Sequence, residues 1–143
     1  MLKGIPSILS PELLKILMEM GHGDELVIGD GNFCAASLAQ RLVRCDGHGV
    51  PHLLDAILGL FPLDRFVACP VALMEVVPGS GDETPPIWAV YKDIIRRHEP
   101  VNNGIEYVER FEFYERTKKA YAVVTTGESA LYANVILKKG VIE

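Results

Sequence analysis

Two ionisable side chains stand at turns in a pattern that suits proton transfer. His22 lies between Gly21 and Gly23, and glycines allow the backbone to present an imidazole at a turn. Asp30 follows the short apolar run 25–29. A carboxylate near an imidazole can orient it and raise its pKa, as acid–base catalysis near neutral pH requires. We therefore hypothesise that His22 and Asp30 belong to one acid–base site.

Structural explanations exist for both residues. His22 could cap the end of a first helix, where its ring N–H would meet the terminal carbonyls. Asp30 could form an ordinary Asx-turn, although the carboxyl ends of parallel strands are also common positions for ligand crevices. The local sequence leaves both alternatives open.

The surrounding elements alternate between helix and strand. A serine cap and an N1 proline at Ser10-Pro11 begin a helix that the glycines after Met20 end. Helical spacing recurs over 53–61, 87–98 and 111–119, whereas strands are predicted over 25–29, 71–77, from 105, over 120–126 and over 135–138. The loop 78–86 is rich in proline and glycine. This order predicts a single α/β domain over 1–143, with a largely parallel or mixed central sheet flanked by helices.

Composition narrows the classes of partner and cofactor. A net charge of −5 favours neither nucleic acid nor an anionic membrane, and no apolar run is long enough to span a bilayer. Three cysteines without a C-x-x-C pair, and no leader-like N-terminus, favour a soluble cytoplasmic protein. Gly49 and Pro51 interrupt the His48/His52 spacing, and no nucleotide-binding motif occurs. We expect no metal and no cofactor.

Two further segments carry side chains that bind sugars. The stretch 110–116 mixes aromatic and charged residues, and Tyr132-Ala133-Asn134 precedes the last strand. Aromatic faces cover the apolar side of a sugar, while Asn, Asp and Arg form directional hydrogen bonds to its hydroxyls. Core packing and turn formation are the more common roles of each residue taken singly.

Taken together, these segments resemble the fucose mutarotase and ribose pyranase family. The resemblance rests on the order and spacing of the segments 20–24, 30–33, 44–47, 110–116, 132–134 and 137–140, and it covers nearly the whole chain. It implies a three-layer α/β fold and cofactor-free interconversion of sugar anomers. The residue matching His22 would be the proton donor, and the implied sugar-contacting residues are Asp30, Asp64, Arg110, Tyr114, Tyr132 and Asn134.

The resemblance is closer to the L-fucose branch. Ribose pyranase relatives usually have His where Arg110 stands and lack the pattern at 113–116. The sequence departs from the family at Gly31 and Cys34, where Ala and Pro are common. The family also implies a homo-oligomer, with decameric rings among bacterial members, whose neighbouring protomers can contribute residues to a site.

The implied reaction is acid–base assisted opening and closure of a sugar ring. His22 would protonate the ring oxygen, while a tyrosine or a water near Asp30 would handle the proton of the anomeric hydroxyl. Two alternatives remain at this stage. One is a non-catalytic monosaccharide-binding or transport-associated homo-oligomer, and the other is an interaction domain in which these residues only form turns.

Overall fold

Five helices and six strands make up the chain, and the computed structural model describes residues 1–143. The helices are α1 (Pro11–Glu19), α2 (Ala35–Leu38), α3 (Val50–Leu58), α4 (Pro86–His98) and α5 (Arg110–Lys119). The strands are β1 (Glu25–Gly29), β2 (Leu42–Cys45), β3 (Val71–Met74), β4 (Ile105–Val108), β5 (Ala122–Thr126) and β6 (Val135–Lys138). None of the helices has the length and apolarity needed to cross a membrane.

All six strands join one mixed sheet in the order β2-β5-β1-β6-β3-β4. β1, β2 and β5 pair in parallel, as do β3 and β4, whereas β6 runs antiparallel to both of its neighbours, β1 and β3. Five strands therefore point in one direction and only β6 is reversed. As a result, the carboxyl ends of five strands and the amino end of β6 lie at one edge of the sheet, which we call the carboxyl edge.

Helix α1 shows how the local sequence sets an element's bounds. The Ser10 hydroxyl oxygen accepts a hydrogen bond from the Leu13 N–H at 3.1 Å, and Pro11 occupies the first turn, where no intrahelical N–H bond is needed. Leu13 and Leu17 are buried against the sheet. The helix ends before Met20, which has an extended backbone.

Helices cover both faces of the sheet. Successive side chains of a strand point to opposite faces, so the apolar residues of the buried strands need cover on each side. Leu26 and Ile28 of β1 belong to a large apolar cluster that also holds the buried faces of α1, α3 and α4. Val27 points to the other face, where a smaller cluster contains residues of α2 and α5, including Ala35 and Phe113. The three-layer α/β fold implied by the family resemblance, with a mixed sheet flanked by helices, is therefore confirmed.

The predicted elements correspond to observed ones, but two short elements were missed. Strand β2 and helix α2 have four residues each, too few to show a clear period in the sequence. The third strand is also shorter than predicted, because pairing ends at Met74 rather than at Val77. These differences lie at element ends and in the shortest segments, where periodicity carries least information.

Tyr91 ties α4 to the segment that precedes β6. It is fully buried, and its hydroxyl donates to the Ala133 carbonyl oxygen at 2.7 Å. Tyr91→Phe would leave that buried carbonyl without this partner, so we expect the free energy of unfolding to fall by about 1–3 kcal/mol in urea titrations. Tyr107→Phe is the matched control, because Tyr107 is half exposed. Equal effects of the two substitutions would contradict the prediction.

Candidate active site

A pocket of about 490 Å³ opens at the carboxyl edge of the sheet. Asp30 follows β1, Arg110 begins α5 directly after β4, and Tyr132 and Asn134 precede β6. Because β6 is reversed, the segment before it meets the segments that follow the parallel strands. The pocket therefore gathers five of the residues proposed from the sequence: Asp30, Arg110, Tyr114, Tyr132 and Asn134.

A hydrogen bond joins Asp30 to Asn134 at the base of this pocket. The Asp30 N–H donates to the Asn134 side-chain oxygen at 2.8 Å, and the Asp30 carboxylate accepts from the Asn32 N–H at 3.0 Å. Both Asp30 and Asn134 are buried. Burial raises the pKa of the Asp30 carboxyl above its ordinary value, although backbone N–H groups such as that of Asn32 oppose the rise. The carboxylate is therefore poorly hydrated and free to accept bonds from a bound ligand.

Arg110 and Tyr114 lie one helical turn apart on α5 and form one wall. The Arg110 Nε donates to the Tyr114 hydroxyl oxygen at 2.9 Å, as the four-residue spacing allows. Glu109 caps the helix by accepting from the backbone N–H groups of Phe111 and Glu112. The cap fixes the first turn, and with it the position of the guanidinium group, which can donate to sugar hydroxyls.

Tyr132 also lines the pocket and has an unusual backbone conformation. Its φ of 55° is the only positive value at a residue other than glycine, and the Trp88 indole N–H donates to its carbonyl oxygen at 2.9 Å. Its hydroxyl contacts the Val77 N–H at 3.2 Å and the Ser80 Oγ at 2.5 Å. Neither residue was predicted as part of the site, because Val77 was assigned to the end of a strand and Ser80 lies in a loop with no recognisable motif.

His22 lies at the other edge of the sheet, where it pairs with Asp64. The His22 Nε2 and the Asp64 Oδ1 are 3.0 Å apart, and the Phe66 N–H also donates to that oxygen at 3.0 Å. Gly23 has a φ of +86°, which completes the turn that exposes the imidazole. Burial opposes ionisation of Asp64, but the Phe66 and His22 hydrogen bonds outweigh it and lower the pKa of the carboxyl.

The hypothesis that Asp30 orients His22 is not met within one chain. Strand β1 separates the two residues, and its five residues span about 13 Å. Asp64 takes the orienting position that the sequence analysis gave to Asp30. Asp64 consequently lies beside His22 and away from the pocket that holds the other implied sugar contacts.

Clustered metal ligands are absent from the structure. No group of three or more His, Cys, Asp and Glu side chains is arranged to hold a metal ion. His48 and His52 face each other with ring centroids 6.4 Å apart, and no third ligand joins them. The polar side chains that line the pocket carry carboxylate, guanidinium, amide, phenol, hydroxyl and thiol groups.

Comparison with known proteins places this geometry in a family. Residues 3–142 match the RbsD / FucU transport protein family. The chain belongs to that family. It is 53% identical to a human fucose mutarotase over 146 residues, covering 99% of this chain and 94% of the human protein. The resemblance found in the sequence is thereby confirmed.

Solved structures of family members extend the comparison to three dimensions. A fucose mutarotase from Streptococcus pneumoniae, solved in complex with L-fucose, is 55% identical with a TM-score of 0.94, over 99% of this chain and 100% of that one. RbsD from Bacillus subtilis, complexed with D-ribose, is 25% identical with a TM-score of 0.72, over 94% and 95% of the two chains. The chain is therefore more similar to the fucose mutarotase than to this ribose-binding member.

The raised pKa of Asp30 predicts a pH-dependent stability difference. The folded state favours the protonated carboxyl of Asp30. The stability that this group contributes is therefore complete below the unfolded-state pKa near 3.8 and is lost as pH rises through the folded-state pKa. Asp30→Asn removes the ionisation. We expect the free energy of unfolding of Asp30→Asn, minus that of wild type, to increase as pH rises through this window. The difference should be larger at pH 7 than below the unfolded-state pKa.

Urea titrations at a fixed protein concentration across that pH range measure the difference. Asp82→Asn, at an exposed loop position, is the matched control and should follow the wild-type profile. A constant offset between Asp30→Asn and wild type at every pH would contradict the assigned role of burial.

Proposed function

We propose that this protein is a sugar mutarotase that interconverts the α and β anomers of L-fucose or a related monosaccharide. The observation that carries the proposal is the convergence of Asp30, Arg110, Tyr132 and Asn134 on one pocket at the carboxyl edge. Membership of the family, and similarity to fucose mutarotases over the whole chain, support the same activity. A cytoplasmic location stays a prediction.

The pocket residues divide into acceptors and donors for sugar hydroxyls. The poorly hydrated Asp30 carboxylate accepts, and the Arg110 guanidinium donates. Asn134 is held by the Asp30 N–H and offers its amide group. Phe33, whose ring packs against Phe113 edge to face, supplies apolar surface to the lining. Opposed donors and acceptors fix the orientation of a monosaccharide, as selective binding requires.

Ring opening requires one proton to leave the anomeric hydroxyl and another to reach the ring oxygen. His22 delivers the second proton, and the Asp64 carboxylate, whose Oδ1 lies 3.0 Å from the His22 Nε2, orients the imidazole. Rotation about the C1–C2 bond followed by closure gives the other anomer. Acid–base groups contribute about 10²–10⁴-fold, which suits a reaction that also proceeds slowly in water.

A second copy of the chain must bring His22 to the pocket, because β1 keeps the two apart within one chain. Exposed apolar side chains adjoin both places. Leu2, Met18 and Ile142 are exposed around the groove that contains His22, whereas Phe111 and Leu131 are exposed beside the pocket. We therefore propose a homo-oligomer in which the His22 surface of one protomer meets the pocket of the next. The number of copies, including a decamer, stays a prediction.

The family description favours a second candidate function. The family is described as a transport protein family, which fits a protein that binds a monosaccharide without converting it. The same pocket would serve in that case, but His22 would have no chemical task. The two candidates therefore differ in whether bound sugar exchanges anomers faster than free sugar.

Saturation-transfer NMR on L-fucose tests the proposed activity. We expect wild-type protein to accelerate α/β exchange, and His22→Ala to lose about 10²-fold or more of the acceleration, because the proton donor is removed. His52→Ala, at an exposed position on α3, is the matched control and should retain activity. Fucose binding without acceleration by the wild type would favour the non-catalytic candidate.

Mixing two inactive variants tests whether neighbouring protomers complete the site. His22→Ala retains the pocket, whereas Asp30→Asn retains the imidazole. Co-refolded mixtures should regain activity, because about a quarter of randomly formed interfaces then join an intact pocket to an intact His22. Each variant refolded alone should stay inactive, and sedimentation should show the same oligomer in all samples. Lack of recovery in a mixed oligomer would contradict shared sites.

A further inference from the structure

Three hydrogen bonds join Val77, Ser80 and Tyr132 in the lining of the pocket, and the proposed sugar contacts do not account for them. The Ser80 hydroxyl lies 2.6 Å from the Val77 carbonyl oxygen and 2.5 Å from the Tyr132 hydroxyl oxygen. The Val77 N–H lies 3.2 Å from the same Tyr132 oxygen. Val77, Ser80 and Tyr132 all line the pocket.

The number of protons available decides the direction of each bond. A carbonyl oxygen only accepts, so the single proton of the Ser80 hydroxyl points to the Val77 carbonyl. In the short contact between the two hydroxyls, Tyr132 must then donate and Ser80 must accept. The Val77 N–H donates to the Tyr132 oxygen. The phenol proton is therefore used in the bond to Ser80 and is not offered to a bound sugar.

This arrangement leaves Tyr132 with an acceptor, not a donor, for a bound sugar. Its proton is used by Ser80, and one acceptor position is used by Val77. The positive φ of Tyr132 and the Trp88 bond to its carbonyl fix the backbone from which the ring projects. The hydroxyl of a sugar that meets Tyr132 must consequently donate its proton to the phenol oxygen.

We propose that Ser80 is a positioning residue that makes Tyr132 the acceptor of the anomeric proton and relays a proton to solvent. The inference rests on the proposed mutarotase function and supplies its base. As the C1–O5 bond breaks, its electron pair goes to O5, which takes a proton from His22, and the C1 hydroxyl becomes a carbonyl. The proton of that hydroxyl passes to Tyr132 and the phenol proton passes to Ser80, while the Ser80 proton turns from the Val77 carbonyl to a water molecule and passes to it.

The exposure of Ser80 makes the last transfer feasible. Ser80 is exposed in the single chain, whereas Asp30 is buried in the pocket. Because each group gives up one proton as it takes another, neither Tyr132 nor Ser80 accumulates charge. Reclosure of the ring on the other face of C1 runs the same transfers in reverse.

Ser80→Ala removes the acceptor of the phenol proton and tests the inference. At saturating L-fucose we expect the maximal exchange rate to fall about 10-fold, while the dissociation constant for L-fucose changes less than about twofold. The pH profile and the solvent isotope effect on exchange should both change, which a purely structural loop contact would not cause. Ser80→Thr keeps the hydroxyl and should restore the rate. Ser7→Ala, an exposed serine in the first loop, is the matched control.

A double variant separates action through Tyr132 from an independent effect. In a Tyr132→Phe background, Ser80→Ala should cause no further loss of rate. Full activity of Ser80→Ala, or an equal loss in both backgrounds, would overturn the inference while leaving the mutarotase proposal intact. Absence of exchange in the wild type would instead contradict the mutarotase proposal, and this inference with it.

Discussion

The antiparallel pairing of β6 between β1 and β3 is the constraint on which the rest of the site depends. Its register places Val135 opposite Ile28 and Lys138 opposite Glu25. The segment before β6 is thereby brought to the carboxyl edge, next to the residue that follows β1. Had β6 run parallel, the polar residues before it would lie at the opposite edge. One reversed strand thus assembles a pocket from residues more than a hundred positions apart.

The same pairing also builds the distant His22 turn. Beyond the strands, the Gly23 N–H donates to the Lys139 carbonyl oxygen at 2.8 Å, and the Lys139 N–H donates to the Asp24 carbonyl oxygen at 2.9 Å. The Lys139 ammonium group donates to carbonyl oxygens at the end of α1, including that of Leu17 at 2.7 Å. Burial lowers the pKa of Lys139. The two ends of β1 and β6 therefore carry the two halves of the proposed site.

Separation of these halves is the reason for proposing an oligomer. The histidine on one edge and the proposed sugar pocket on the other cannot act together in an isolated chain, whereas repeated contact between unlike surfaces can join two such regions and close into a ring. The division also assigns distinct tasks to the carboxylates. Asp64, whose pKa is lowered, contacts the His22 imidazole, while burial raises the pKa of Asp30 in the pocket.

The sequence by itself determined the helices and strands in which apolar residues recur at regular spacing. It also contained the types of residue that could transfer protons and bind a sugar. Caps, glycines and periodicity act over a few neighbouring residues, so helices such as α1 and α4 follow from them. The resemblance supplied the family and named the pocket residues. Only the tertiary structure decided that His22 pairs with Asp64, that Asp30 pairs with Asn134, and that Ser80 contacts the Tyr132 hydroxyl. These contacts depend on strand order and direction, which pairing between distant segments determines and which local sequence does not encode.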